Sequence, residues 1–135
     1  MLLSSKSALA YLTLFVGLTK AQLNGTGNLF YFVPGTGACG FTNTSDQYVA
    51  SVSADVFNNF PGATSDPNNN PICQHNLNVT YNDTSVSAQI VDYYTSSPDN
   101  NVGFSPAAFE EFGQPLGELY NVTWAIVQKS DADEF

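Results

Sequence analysis

The chain has 135 residues, 43% of them hydrophobic and 13% aromatic, and its 3 Lys+Arg against 12 Asp+Glu give a formal net charge of −9. So few cations exclude a nucleic-acid or anionic-membrane role, because phosphates are held by lysine and arginine. The length suits one domain with one modest core.

The N-terminus comes first. Lys6 supplies a positive flank, Ser7 to Leu18 is a short apolar run, and Thr19-Lys20-Ala21 offers a small-x-small cleavage site before Gln22. That is the layout of a secretory signal peptide. The run is shorter than the roughly 20 apolar residues a membrane span needs. The expected division is a leader over residues 1–21 and one domain over 22–135, secreted and extracellular. Cleavage leaves Lys129 as the one cation against 12 acids, a net charge of −11 with no arginine. Such acidity reads as a solubility feature.

The aromatic run Asn28–Val33 reads as a strand ending at the turn Pro34-Gly35. Gly35-Thr36-Gly37-Ala38-Cys39-Gly40 is a tight turn whose small residues let the backbone fold back. Tyr48–Ser53 alternates, with Tyr48, Ala50 and Val52 on one face. Ser53–Phe57 fits one helical turn, and Phe60–Pro71 is a loop. Leu77, Val79 and Tyr81 alternate in a strand, Asn82-Asp83 turns the chain, and Val86–Val91 returns, which makes a hairpin. Tyr94–Val102 is polar and turn-rich. Ser105 is placed as an N-cap with Pro106 at the first helical position, and the helix runs to Phe112. Pro115-Leu116-Gly117 breaks it, Tyr120–Val127 is the last strand, and Lys129–Phe135 is a charged tail. Val52, Val79, Val91, Trp124 and Ile126 occupy the buried phases. Short strands, one or two short helices and many turns point to a mainly β, small closed barrel of six strands.

Cys39 and Cys73 are the two cysteines. In an oxidising compartment they are expected to pair rather than remain free thiols. Such a loop closure stabilises by roughly 3–4 kcal/mol in chain-entropy terms. With the lone His75 they make no zinc pattern, so no metal is expected. No flavin or nucleotide motif appears, so no cofactor is expected. Sequons at Asn24, Asn43, Asn78, Asn82 and Asn121 are glycan acceptors in a eukaryotic secretory pathway. Asn78 and Asn121 sit in strand-like runs and must face outward to be modified.

The GTGACG turn, read with Phe104-Ser105-Pro106-Ala107-Ala108-Phe109, resembles the double-psi β-barrel family of rare lipoprotein A, the barwin-like proteins, the first domain of expansins and small secreted fungal proteins. The order of segments from about Asn28 to Val127 is similar as well: aromatic strand, glycine-rich turn, VASVS strand, NNNPICQ before the second cysteine, hairpin, SPAAF, and a closing VTW strand. The resemblance implies a six-stranded double-psi barrel with one or two short helices, and puts Cys39 and Cys73 at matching disulfide positions. It also implies a groove in which Asp92, the acid of the family's Val-Asp motif, is the candidate catalytic carboxylate. Tyr31, Tyr93, Tyr94 and Asp92 are the candidate ligand-binding residues, with Tyr93 and Tyr94 read as a loop-like segment beside Asp92.

Several positions depart from the pattern. Ser53-Ala54-Asp55 lacks the histidine that rare-lipoprotein-A-like members carry. Gly103 stands where many members have an acid. Phe30-Tyr31-Phe32 lacks a threonine of the first strand, and Tyr93-Tyr94-Thr95-Ser96 lacks a C-x-x-C pair. General acid–base chemistry needs positioned partners, and Asp92 is left without them. The expectation is therefore a non-catalytic, monomeric barrel that binds cell-wall or extracellular polysaccharide. The alternatives are a polysaccharide-cleaving enzyme using Asp92 and a secreted protein-binding module, inhibitor or effector, because fold alone does not fix function.

Overall fold

Six strands carry the architecture of the computed structural model, which describes residues 22–96 and 98–129. The expected leader and nearly all of the charged tail lie outside the described residues. The strands are β1 (Asn24–Tyr31), β2 (Val49–Ser53), β3 (His75–Tyr81), β4 (Thr84–Tyr94), β5 (Val102–Phe104) and β6 (Glu118–Gln128). Two short helices, α1 (Ala54–Asn58) and α2 (Pro106–Glu110), follow β2 and β5. The ring closes in the order β1-β5-β2-β4-β3-β6. β1/β5 and β2/β4 are parallel pairs, and the other four contacts are antiparallel. Parallel neighbours cannot be joined by a hairpin, so the chain crosses over between them. The result is the expected small six-stranded double-psi barrel.

Local chemistry explains the best-defined parts. Asn82 and Asp83 both take positive φ, 48° and 67°, which a two-residue hairpin turn requires and short polar side chains tolerate. The turn fixes the register at Tyr81↔Thr84 and Val79↔Val86. Leu77, Val79, Val86, Ala88 and Ile90 then face the core. Ser53 caps α1, its hydroxyl accepting from the Val56 amide at 3.1 Å. The 60–71 loop includes a short 3-10 turn at Pro67–Asn69, and a second at Pro71–Gln74 follows it. Asn70 organises the approach to the second turn: it is buried, donates to the Phe57 carbonyl at 2.7 Å and accepts from the Ile72 amide at 3.0 Å.

Several strand boundaries differ from expectation because of pairing. β1 begins at Asn24 rather than Asn28, since its ladder with β6 starts at Asn24↔Ala125. β4 runs to Tyr94 rather than Val91, since its parallel ladder with β2 continues through Val52↔Tyr93 and Ser53↔Tyr94. Val102–Phe104 forms a short strand where Val102 was read as the end of a turn-rich stretch. α2 stops at Glu110 rather than Phe112. Ser105 occupies its N-cap position without capping it. The buried hydroxyl instead accepts from the Val49 amide at 3.2 Å and donates to the Gln47 carbonyl at 2.5 Å, which ties the SPAAF segment to the start of β2.

The core gathers Leu29, Phe57, Ile72, Phe104, Phe109 and Val122 with the strand valines. Each such side chain contributes roughly 1.5–3 kcal/mol through its removal from water. Val52, Val79, Val91 and Trp124 are buried as expected, whereas Ile126 is half-buried against the core. Trp124 also satisfies its indole N–H on the Asn100 carbonyl at 2.8 Å. Cys39 and Cys73 are joined, with Cα atoms 5.7 Å apart. The bridge fastens the glycine-rich turn to the Pro71–Gln74 turn. No helix among the described residues is long and apolar enough to cross a membrane.

Candidate functional site

Asp92 sits half-buried in β4. Its Oδ1 accepts from the Ala38 amide at 3.0 Å and from its neighbour's amide, Tyr93, at 2.8 Å. The glycine-rich turn lies directly on the strand here. A Cβ at Gly37 would come within 2.5 Å of the Val91 carbonyl and 3.1 Å of Asp92 Cβ. The Cys39 amide donates to that same Val91 carbonyl at 3.0 Å. Asp92 therefore clamps the GTGACG turn to the barrel wall.

Two of the departures, at Phe30 and Gly103, are linked by packing. Phe30 of β1 and Gly103 of β5 are register partners. A Cβ at 103 would lie 2.4 Å from the Phe30 ring. The ring thus fills the volume that an acid at 103 would need, so a phenylalanine at 30 requires a glycine at 103. Phe30 also meets Tyr94 edge to face, with ring centroids 5.1 Å apart.

Tyr93 and Tyr94 are strand residues and half-buried, not members of an open loop. Tyr93 packs on buried Phe57 at 5.1 Å. The Tyr94 hydroxyl faces the Pro98 carbonyl at 2.8 Å and the Asn101 carbonyl, which ties both residues to the strand. Burial raises the Tyr94 pKa, and the nearby Asp99 charge raises it further. Tyr31 is 40% exposed and touches Phe109 edge-on at 6.1 Å. Of the expected ligand-binding set, Tyr31 is the one classed as exposed.

The remaining polar candidates have structural partners. His75 donates from Nδ1 to the Pro71 carbonyl at 2.9 Å, since a carbonyl can only accept, and its ring packs on Phe60. Asp55 accepts from the Asn59 side chain at 3.0 Å. Asn24, Asn82 and Asn121 are exposed, while Asn43 and Asn78 are half-buried. The Asn43 amide donates to Gln47 Oε1 at 3.1 Å, and Asn78 accepts from the Ser87 hydroxyl at 3.4 Å.

Tyr48 corrects the reading that put it in phase with Ala50 and Val52. It precedes β2, is 42% exposed, and donates to Glu111 Oε1 at 2.5 Å. That hydrogen bond, with lesser contributions from burial and the Glu111 charge, pushes its pKa up to about 12. The proximity of Tyr48 to Glu111 was not legible, because 63 positions separate the two residues.

No protein-family model matches the chain, and no curated protein is detectably similar in sequence. Solved structures do match. A Streptomyces papain inhibitor superposes with a TM-score of 0.67 at 24% identity, over 81% of this chain and 100% of the inhibitor. The apo expansin of Clavibacter michiganensis superposes with a TM-score of 0.58 at 18% identity, over 80% of this chain and 52% of the expansin. A mutant of that expansin in complex with cellohexaose gives the same values. This chain thus spans about half the length of the expansin and the full length of the inhibitor. At these identities the likeness is one of fold, the small double-psi β-barrel.

Proposed function

We propose that the chain is a secreted, monomeric, non-catalytic double-psi barrel that binds a cell-wall or extracellular polysaccharide. In this reading residues 1–21 are a removable leader and residues 22–135 are the mature domain. The observation that carries it is the state of Asp92. Its carboxylate holds the Ala38 and Tyr93 amides, and the place of a second acid is filled by the Phe30 ring over Gly103. A lone carboxylate committed to the backbone lacks the acid–base partner that glycoside cleavage needs. Binding makes no such demand, and a structural neighbour of the same fold is described in complex with cellohexaose.

The test uses the mature chain on chitin, cellulose, β-1,3-glucan and peptidoglycan, scoring retention and product release separately. Retention without release is expected, for both the wild type and Asp92→Asn. Release that disappears in Asp92→Asn would establish the enzyme instead.

A second reading has its own support. The papain inhibitor is matched over its entire length, with the higher TM-score. That favours a protein partner of the protease-inhibitor kind. Inhibition of papain, together with no retention on any polysaccharide, would decide for it.

A further inference from the structure

On another part of the barrel, residues ahead of β2 meet β4, the residue after α2 and the end of the described chain around a hollow of about 770 Å³. That volume falls within the roughly 300–1,000 Å³ of small-molecule sites. Its lining mixes polar and apolar groups: Gln47, Ser87 and Gln89 offer amides and a hydroxyl beside the exposed ring of Tyr48, and Val49, Val86 and Ala88 supply apolar surface. Two carboxylates, Asp46 and Glu111, and one ammonium, Lys129, complete the wall.

The groups at the wall are held in place. Tyr48 is fixed on Glu111 at 2.5 Å. Gln89 donates to the Cys73 carbonyl at 3.1 Å and accepts from Lys129 Nζ at 3.4 Å. Gln47 Oε1 accepts from the Thr44 amide at 3.0 Å. Side chains locked by such contacts form a preorganised site.

We propose that this hollow, not the Asp92 face, is the ligand site, and that it takes a segment of neutral oligosaccharide. The inference rests on the polysaccharide reading above and gives it a location. A flat, partly exposed aromatic ring suits a sugar face, and fixed amides, a hydroxyl and carboxylates suit sugar hydroxyls. Two acids against one cation disfavour an anionic polymer. Asn43 also lines the hollow. The site therefore requires Asn43 to carry no glycan, although it is the asparagine of a sequon.

The experiment is a residue-resolved amide NMR titration of the mature chain with cellohexaose and with laminarihexaose. Shift changes are expected to cluster over residues 47–49 and 85–89. Tyr48→Ala should weaken binding about tenfold, Tyr48→Phe should retain it, and Asp55→Asn on α1 should leave it unchanged. A thermal melt of each variant separates lost contact from lost fold. Changes centred on Ala38, Asp92 and Tyr93 would overturn this site while leaving the polysaccharide reading standing. So would a native chain glycosylated at Asn43 that still binds. No response to either hexasaccharide, with no retention on the insoluble polymers, would overturn both.

Discussion

On the Asp92 face the polar side chains bond to backbone. Asp92 holds two amides, and Tyr94 faces two carbonyls. Around Tyr48 the partners include other side chains: Tyr48 with Glu111, Asn43 with Gln47, Lys129 with Gln89. The two patterns have different consequences. A side chain bonded to backbone fixes a loop, and its loss leaves a poorly solvated main-chain group unpaired. Side chains bonded to one another at a partly exposed surface cost less to lose, because water can reach the partner that is left. One face is built for shape, the other for contact.

The largest expected effect tests whether the Asp92 face is structural. Replacing both cysteines by alanine should cost about 4 kcal/mol for a bridge of this span, measured by urea unfolding. Amide exchange should accelerate at Ala38 and Tyr93 well before it does around Tyr48. Equal acceleration at both would erase the contrast.

Gly103→Asp should cost about 3 kcal/mol, from overpacking against Phe30 and from an unpaired acid at a buried position. Adding Phe30→Thr should recover a measurable part of that loss, giving non-additivity in a double-mutant cycle. Strict additivity would mean that the ring and the glycine are not coupled.

Asp92→Ala should cost about 2 kcal/mol by orphaning the Ala38 and Tyr93 amides. Asp92→Asn should cost less, because its side-chain oxygen still accepts. If the melting temperatures of the two variants match that of the wild type, Asp92 is not the clamp.

Tyr48→Phe should lower stability by less than about 0.5 kcal/mol near neutral pH, as expected when an exposed hydrogen bond is lost. The difference from the wild type is expected to vanish in alkali. Tyr48 ionises near 12 in the fold instead of 10.0. The folded state therefore keeps a proton that the unfolded state releases. The stability this lends is complete below pH 10 and disappears as pH rises through about 12. Absorbance at 295 nm should show one late-ionising tyrosine fewer in the variant.

Much of the barrel was legible because it rests on local chemistry. The Asn82-Asp83 turn, the alternation of Leu77, Val79 and Tyr81, and the Ser53–Phe57 helical turn each announce themselves within a few residues. The disulfide followed from two cysteines and a leader-like N-terminus. What failed depended on pairing across the ring. Asn24–Gly27 is glycine-rich and looks unlike a strand until β6 lies beside it. Tyr93 and Tyr94 looked like loop residues because the parallel ladder that extends them comes from β2. For the site, the departures at Phe30 and Gly103 were visible one at a time, but the link between them needed the register. The hollow was not legible at all, since its walls come from segments scattered between Asn43 and Lys129.

The closed ring has a consequence for the order of events during synthesis. β1 is made first, yet it is flanked by β5 and β6, and one of these is the last strand of the barrel. The β3–β4 hairpin can form as soon as it emerges. The apolar flanks of β1 and β2 wait for partners many residues downstream. Such long-range closure is slow, and it leaves strand edges open meanwhile. The barrel therefore completes only when Glu118–Gln128 arrives, and a chain stopped short of that strand would expose the edges that the finished molecule hides.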